Sequence, residues 1–325
     1  MSTVLVTGAG GFVGSAVVRR LVRRGTILWD GSPVERVVAL VRPSGSKNRL
    51  ELVTAATACS LEQADVYDEA GFGSMLSRIR PHAVVHTALD AAVHTRSTVE
   101  HGPLETLFAQ LAGLGGARLV HAGSAWVLAP GVGLDESAAV DPRSSYAEHK
   151  AAEDKLLRIL GDRYGVDWVN LRLFNIFGRY ERSSRLLPYL VARLSQGRAA
   201  AVSHGSQLRD FNDVDDVAEA FALALQAPEE ACGRIYHIGS GRATTVREFA
   251  QTVAEVAGDP QLIRFGAGAT ADQGLEALVA DPALAQRVLG WTPPESLRTR
   301  LHAAAEWWLE RLVLPKPPQH EELKR

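Results

Sequence analysis

The chain is poor in cysteine and in long hydrophobic runs. Its 325 residues include two cysteines, Cys59 and Cys232, which lie far apart and belong to no CxxC motif or Cys/His cluster. This spacing excludes a disulfide-stabilised scaffold and gives no signal for a metal site. No apolar stretch approaches the ~18 residues of a membrane span, and no signal peptide is recognisable at the N-terminus. We therefore expect a soluble, cytoplasmic protein without a bound metal.

An excess of charge of one sign is also lacking. The 35 basic and 37 acidic side chains give a net charge of −2. This balance argues against a nucleic acid or a membrane surface as the main partner. Arginine supplies 30 of the basic side chains and lysine only five, so each lysine in a motif stands out.

The N-terminal segment has the pattern of a strand, a glycine-rich turn and a helix. Residues 4–6 are apolar, three glycines follow, and apolar residues then recur at helical spacing. Such glycines allow a tight turn close to a pyrophosphate, and the start of a helix attracts phosphate. The pattern predicts dinucleotide binding by Gly8, Gly11, Phe12, Val13 and Gly14.

The residues that follow the next strands indicate which cofactor is bound. The strand at 37–41 is followed by Arg42, a position where a ribose 2′-OH usually meets an acid and a 2′-phosphate meets arginine. Arg42 therefore favours NADP(H), although one more surface arginine among thirty leaves NAD(H) open. We expect Asp65 and Val66 to lie beside the adenine, and Ala88 to lie beneath the cofactor.

Three residues are candidates for the chemistry. Tyr146 and Lys150 are four residues apart at the start of a predicted helix, so both side chains project from one face. A neighbouring cation favours the phenolate, which exchanges protons with an alcohol or a ketone. Ser124 follows the fifth predicted strand, and ligands of open α/β sheets gather beyond such strand ends. We predict that Ser124, Tyr146 and Lys150 are catalytic, and that Tyr146 and Lys150 also contact the cofactor.

Alternation of strands and helices predicts an α/β fold with a Rossmann-type doubly wound parallel sheet and a smaller mixed α/β C-terminal domain. We assign residues 1–174, with roughly 210–230, to dinucleotide binding. Residues 175–209 and 231–314 are assigned to a substrate domain, and 315–325 to a polar tail.

These motifs together resemble the extended short-chain dehydrogenase/reductase family, also called the NAD-dependent epimerase/dehydratase family, in its nucleotide-sugar branch. The resemblance covers nearly the whole chain. It rests on Gly8-x-x-Gly11-x-x-Gly14, Ser124, Tyr146-x-x-x-Lys150, residues 171–178, Arg209-Asp210-Phe211 and residues 289–293.

The resemblance implies a nucleoside-diphosphate sugar as substrate, hydride exchange at a sugar carbon, and a homodimer. It implies that Asn175 contacts the sugar or phosphate and that Arg185 and Arg209 face the pyrophosphate. We also expect Ser124 to bond a substrate oxygen, and Trp126 to form a wall of a pocket for a 6-deoxy methyl. Two segments depart from the family. Residues 89–100 lack the pattern Asn-Val-x-Gly-Thr, and Gln273-Gly274 replaces Arg-Pro-Gly.

The resemblance also bears on the reaction. Dehydratases of the family carry an Asp-Glu pair directly after the active-site hydroxyl, and decarboxylases carry a Glu there, whereas this chain has Ala125 and Trp126. We therefore expect NADPH-dependent reduction of the C4 ketone of a nucleoside-diphosphate 4-keto-6-deoxyhexose. An NAD-dependent nucleotide-sugar 4-epimerase is the alternative. A non-catalytic NADP-sensing protein on the same fold is a third hypothesis.

Overall fold

The computed structural model describes residues 2–23, 25–50, 59–89, 93, 102–268, 275–294 and 296–313. The chain forms two compact units. The first unit comprises Met1–Ile176, Leu208–Ala243 and Asp272–Pro294, and the second comprises Phe177–Gln207, Thr244–Ala271 and Glu295–Arg325.

The strands of the described residues are β1 (Thr3–Thr7), β2 (Arg36–Val41), β3 (Cys59–Gln63), β4 (Ala83–His86), β5 (Arg118–Ser124), β6 (Gly131–Leu134), β7 (Asp167–Leu173), β8 (Asn175–Phe177), β9 (Ala200–Val202), β10 (Leu208–Arg209), β11 (Phe211–Asp213), β12 (Arg234–Ile238), β13 (Thr244–Thr245), β14 (Ile263–Phe265) and β15 (Ala277–Ala280). The helices are α1 (Phe12–Arg23), α2 (Glu69–Ile79), α3 (Gly102–Ala112), α4 (Ser145–Tyr164), α5 (Leu186–Leu194), α6 (Val214–Gln226), α7 (Val246–Ala257), α8 (Ala283–Leu289) and α9 (Leu297–Val313).

Seven parallel strands of the first unit form one sheet, in the order β12-β7-β5-β4-β1-β2-β3. Strand β1 lies between β2 and β4, so the strand order reverses there. In open α/β sheets a ligand crevice forms beyond the carboxyl ends of the strands at such a reversal. The predicted doubly wound parallel sheet is confirmed.

Both faces of this sheet are buried, which is why its strands read as continuous apolar runs. Val4 and Val6 pack into the core under α1 and α6, whereas Leu5 packs into the core under α2, α3 and α4. Alternate side chains of one strand therefore serve two separate cores.

The first unit also contains short strands that the sequence did not predict. Strand β15 pairs in parallel with β10 and with β6. The carboxylate of Asp210, fully buried after β10, accepts hydrogen bonds from the backbone N–H groups of Ser240, Gly241 and Ala280 at 2.7, 2.8 and 3.2 Å. It thereby ties the loop after β12 to β15.

The units and the predicted domains divide the chain at different places. Residues 234–238 pair with β7 as the edge strand β12, and residues 272–294 also belong to the first unit. The sequence pattern places both segments in the substrate domain. The binding roles assigned to the two domains stay predictions.

In the second unit, α7 packs against α5 and α9, and β9 and β14 form a parallel pair. Phe177 and Phe249 meet edge to face, and the indole N–H of Trp308 donates to the carbonyl of Gly178 at 3.1 Å. The segments of this unit are distant in sequence and are joined by such contacts. No helix in the part of the chain that the structure describes is both long and apolar enough to cross a membrane.

Candidate active site

The glycine turn after β1 has a backbone that only glycine accommodates well. Gly8 has φ +65°, and a Cβ there would lie 2.7 Å from the backbone nitrogen of Ala88. A Cβ on Gly14 would lie 2.4 Å from the carbonyl oxygen of Gly8. The N–H of Gly11 donates to that same oxygen at 2.8 Å and closes the turn. The fold therefore brings Gly8, Gly11, Gly14 and Ala88 together.

This turn fits the pyrophosphate of a dinucleotide. Helix α1 begins at Phe12, so the first N–H groups of the helix, including those of Phe12, Val13 and Gly14, have no partner within the helix. They lie at the positive end of the helix dipole, beside the strand reversal at β1. The binding of a dinucleotide's phosphates by these residues stays a prediction.

The carboxyl end of β2 carries basic side chains. Arg42 directly follows β2 and is exposed. Arg49, which the sequence did not single out, donates from a terminal nitrogen to the carbonyl of Gly10 at 2.9 Å. No periodic pattern marks Arg49, because it lies in a loop and reaches the glycine turn only through the fold.

The residues predicted to lie beside the adenine follow β3. Val66 is buried, whereas Asp65 is exposed and accepts a hydrogen bond from the N–H of Tyr67 at 3.1 Å. Both lie near the carboxyl edge of the sheet, because β3 pairs in parallel with β2. Their role in binding stays a prediction.

Ser124 is the last residue of β5 and is buried. Its Oγ accepts a hydrogen bond from the N–H of Trp126 at 3.2 Å, so its own O–H remains a donor for another acceptor. Ala125 is fully buried, and Trp126 is half-buried in the short turn after the strand. Neither position therefore supplies a second acid or base beside Ser124.

Helix α4 carries the tyrosine and the lysine. Its N-cap is Ser144, whose Oγ accepts from the N–H of Ala147 at 3.2 Å. Tyr146 is half-buried in the first turn, and Lys150 is buried one turn later. The ammonium of Lys150 donates to the carbonyl of Ala122 in β5 at 3.0 Å. This contact fixes the charged end of Lys150 against the strand that leads to Ser124.

The charge of Lys150 is balanced inside the protein. Its Nζ lies 2.7 Å from Oε2 of Glu153, and both side chains are almost completely buried. Burial opposes the charged form of Lys150, but the negative charges of Glu153, Tyr146 and Asp154 outweigh it, so the pKa of Lys150 is raised above its ordinary value. The sequence had pointed to Lys150 but not to Glu153.

The predicted substrate residues have different environments. Asn175 begins β8, and its buried Oδ1 has no hydrogen-bond partner among the described residues. Arg185 belongs to the second unit, is exposed, and lies 3.5 Å from the carboxylate of Glu181. Asn175 therefore retains an acceptor for a ligand, and the role of Arg185 stays a prediction.

Arg209 is not placed as expected for a phosphate ligand. Only 1% of its surface is exposed, and its two terminal nitrogens donate to the carbonyls of Leu208 and Leu275, each at 2.8 Å. The guanidinium thus joins two backbone segments. The role of Arg209 in binding a pyrophosphate stays a prediction. The departures at 90–100 and 273–274 lie outside the described residues, apart from Val93.

Comparison with known proteins gives consistent matches. Residues 4–239 match the NAD dependent epimerase/dehydratase family. A UDP-glucose 4-epimerase of Mycolicibacterium smegmatis is 28% identical over 320 residues, which cover 94% of this chain and 97% of that protein.

Two solved structures are similar as well. A dTDP-glucose 4,6-dehydratase of Streptomyces venezuelae with NAD bound is 26% identical, with a TM-score of 0.83, and the match covers 95% of this chain and 97% of that one. A UDP-glucose 4-epimerase of Thermus thermophilus in complex with NAD is also 26% identical, with a TM-score of 0.78, over 96% and 100% of the two chains.

Proposed function

The chain belongs to the NAD dependent epimerase/dehydratase family, and on that basis we propose that it is a nucleotide-sugar 4-epimerase. The matches to UDP-glucose 4-epimerases support this function better than the 4-ketoreductase that the sequence led us to expect. The solved relatives named above bind NAD, which supports a nicotinamide dinucleotide as cofactor here.

The observation that carries the proposal is the set of groups around Ser124. A 4,6-dehydratase needs a further acid and base next to that hydroxyl, and this chain has a buried alanine and a tryptophan there. A 4-epimerase needs only one proton-exchanging group at the C4 oxygen. Tyr146 supplies this group, and Lys150 lies one turn away on the same helix.

The residues of this chain perform the proton transfers of the reaction. The phenolate of Tyr146 takes the proton of the C4 hydroxyl and returns it when the C4 ketone is reduced on its opposite face. Lys150 stabilises that phenolate, and the O–H of Ser124 donates to the C4 oxygen. The nicotinamide, when bound, supplies a hydride exchange that is reversed within one turnover.

One observation favours a second function. The basic side chains after β2 suit a ribose 2′-phosphate, and Arg49 already contacts the glycine turn. NADP(H) is the cofactor of net reductions, so Arg42 and Arg49 support an NADPH-dependent reductase of a nucleoside-diphosphate 4-keto-6-deoxyhexose as the second candidate.

A single assay separates the two candidates. Purified protein is incubated with UDP- and dTDP-linked glucose and galactose and, separately, with a dTDP-4-keto-6-deoxyhexose plus NADPH or NADH. We expect C4 epimers to interconvert, followed by NMR, with no net change in nicotinamide absorbance. Oxidation of NADPH only with the keto sugar would establish the reductase instead, and no turnover with any of these substrates would contradict both.

A further inference from the structure

Lys150 is held by two acceptors. An ammonium carries three N–H donors. In the described part of the chain, Lys150 donates one of them to the carbonyl of Ala122 at 3.0 Å, and its Nζ forms an ion pair with Oε2 of Glu153 at 2.7 Å. These two contacts fix the position of the ammonium between α4 and β5.

The carboxylate of Glu153 is itself held by histidines. Nε2 of His149, one turn earlier on α4, lies 3.1 Å from Oε1 of Glu153, and Nε2 of His121 in β5 lies 3.4 Å from Oε2. His121 is held in turn by Oδ1 of Asn170 in β7, which lies 2.9 Å from its Nδ1. Glu153 therefore cannot turn away from Lys150 without breaking contacts to both α4 and β5.

We propose that Glu153 is a positioning residue for Lys150: the buried carboxylate of Glu153 keeps the ammonium of Lys150 charged and in place against β5. This proposal rests on the proposed function of Lys150. Without a counter-charge, a lysine buried to this degree would favour the neutral amine, and a neutral amine no longer stabilises the phenolate of Tyr146.

The pKa directions of the pair agree with this geometry. Burial would raise the pKa of Glu153, but Lys150 and His121 hold it well below its usual range. The pKa of Lys150 is raised, as described above, with Glu153 as the largest favourable cause. Both groups are therefore ionised at neutral pH.

The other titratable groups near Lys150 lie on three elements. Tyr146, His149 and Asp154 lie on α4, His121 lies on β5, and His86 lies on β4. His86 is neutral, because burial lowers its pKa to about 3.

The remaining elements packed against α4 carry charged side chains that contact residues of α4 other than Lys150. The charged side chain of α3, Glu105, contacts Arg163 and Tyr164 at the far end of α4. On β7, Arg172 faces Asp154. The described residues contain no group of three His, Cys, Asp or Glu side chains arranged to hold a metal ion, so the cluster around Glu153 is not a metal site.

The next residue, Asp154, offers a matched control. It is as buried as Glu153, but its carboxylate pairs with Arg172 at 2.7 Å and accepts from Asn170 at 2.6 Å. Removing either charge breaks a buried ion pair on the same turn of the same helix. Glu153→Gln and Asp154→Asn should therefore lower the stability of the fold by similar amounts. They differ in the cation that loses its counter-charge, which is Lys150 in the first variant and Arg172 in the second.

The first measurement follows the ionisation of Lys150 in the protein without substrate. The chain has five lysines, so [¹³C]lysine labelling gives a simple NMR spectrum, and Lys150→Met identifies the signal of Lys150. We expect Glu153→Gln to move the alkaline titration of Lys150 to lower pH by about one unit or more. Asp154→Asn should move it less, since Asp154 is the weaker contributor.

The second measurement is the dependence of kcat on pH. The alkaline fall of kcat should shift to lower pH in Glu153→Gln by a similar amount. In Glu153→Asp, which keeps the charge, the fall should lie close to its pH in the wild type. If Glu153→Gln does not fold, Glu153→Asp alone should show a smaller shift in the same direction.

Two results would overturn the proposal. One is a titration of Lys150 that is the same in wild type and Glu153→Gln, and the other is an equal shift in Asp154→Asn. An absence of turnover in the wild type would contradict the proposed function only, because the NMR titration decides the role of Glu153 without substrate.

Discussion

At the scale of single residues, the phenol of Tyr146 separates an enzyme from a binding protein. Tyr146→Phe removes the proton-exchanging group and leaves the ring, so we expect kcat to fall by roughly 10² to 10⁴. The affinity for the nicotinamide cofactor, measured by fluorescence titration, should stay within about twofold, because we expect the start of α1 to bind its phosphates and the ring of Tyr146 to remain in place.

A control is available on the same helix. Tyr164 lies at the last turn of α4, and its hydroxyl donates to Glu105 at 3.2 Å. Tyr164→Phe removes a hydroxyl of the same kind and should leave kcat unchanged. If Tyr146→Phe also kept wild-type turnover, Tyr146 would not be the proton-exchanging group. Cofactor binding without turnover in the wild type would instead favour the non-catalytic NADP-sensing protein.

Spacing made some residues of the site predictable, and only the fold reveals the others. Tyr146 and Lys150 are four residues apart on one helix, and this spacing can be read directly from the sequence. Glu153 is three residues further on, but its importance depends on His121, 32 positions away in β5. For Arg209 the motif suggests a ligand contact, and the fold adds that its buried guanidinium donates to two backbone carbonyls.

At the scale of elements, the N-cap of α4 supports the turn that carries Tyr146, the proposed catalytic residue. Ser144→Ala removes the hydrogen bond to the N–H of Ala147 and should lower the free energy of unfolding by about 1 kcal/mol. Since Tyr146 lies in that first turn, fraying should also lower kcat, by at most about fivefold for that energy. Urea denaturation and steady-state kinetics measure the two effects.

The N-cap of α7 serves as the control for this prediction. Thr245 accepts from the N–H of Glu248 at 3.0 Å in a capping box of the second unit. Thr245→Ala should cost a similar free energy and leave kcat unchanged. A loss of turnover equal to that of Ser144→Ala would show that stability alone, and not the position of Tyr146, controls kcat.

Long elements were predictable because periodicity and capping residues mark them. Helices α6 and α7 each begin after a side chain that caps the helix, Asp213 and Thr245. Strands β6, β10 and β15 have four residues or fewer and pair with distant partners, so no local pattern distinguishes them from loops. The assignment of β12 to the large sheet likewise depends on its pairing with β7, which is 60 or more positions away.

At the scale of the whole molecule, two buried histidines of the first unit make stability depend on pH. Burial lowers the pKa of His86 to about 3. Burial, with the neighbouring charge of Arg172, lowers the pKa of His237 to about 4. The unfolded chain binds protons at both positions below about pH 6.5. The folded chain binds them only when the pH falls to the lowered pKa values of the two histidines. Acid therefore favours the unfolded state.

The sign and size of this effect can be measured. Above pH 6.5 both states hold these histidines neutral, and they contribute no pH dependence. From about pH 6.5 to 5, where most carboxylates stay ionised, the free energy of unfolding should fall as pH falls, approaching about 1.4 kcal/mol per pH unit for each histidine. Urea denaturation across this window gives the free energy of unfolding at each pH. Its slope against pH should be shallower for His86→Asn and His237→Asn, in which the amide replaces Nδ1 and cannot take up a proton. Slopes equal to that of the wild type would mean that other groups control the acid stability of the first unit.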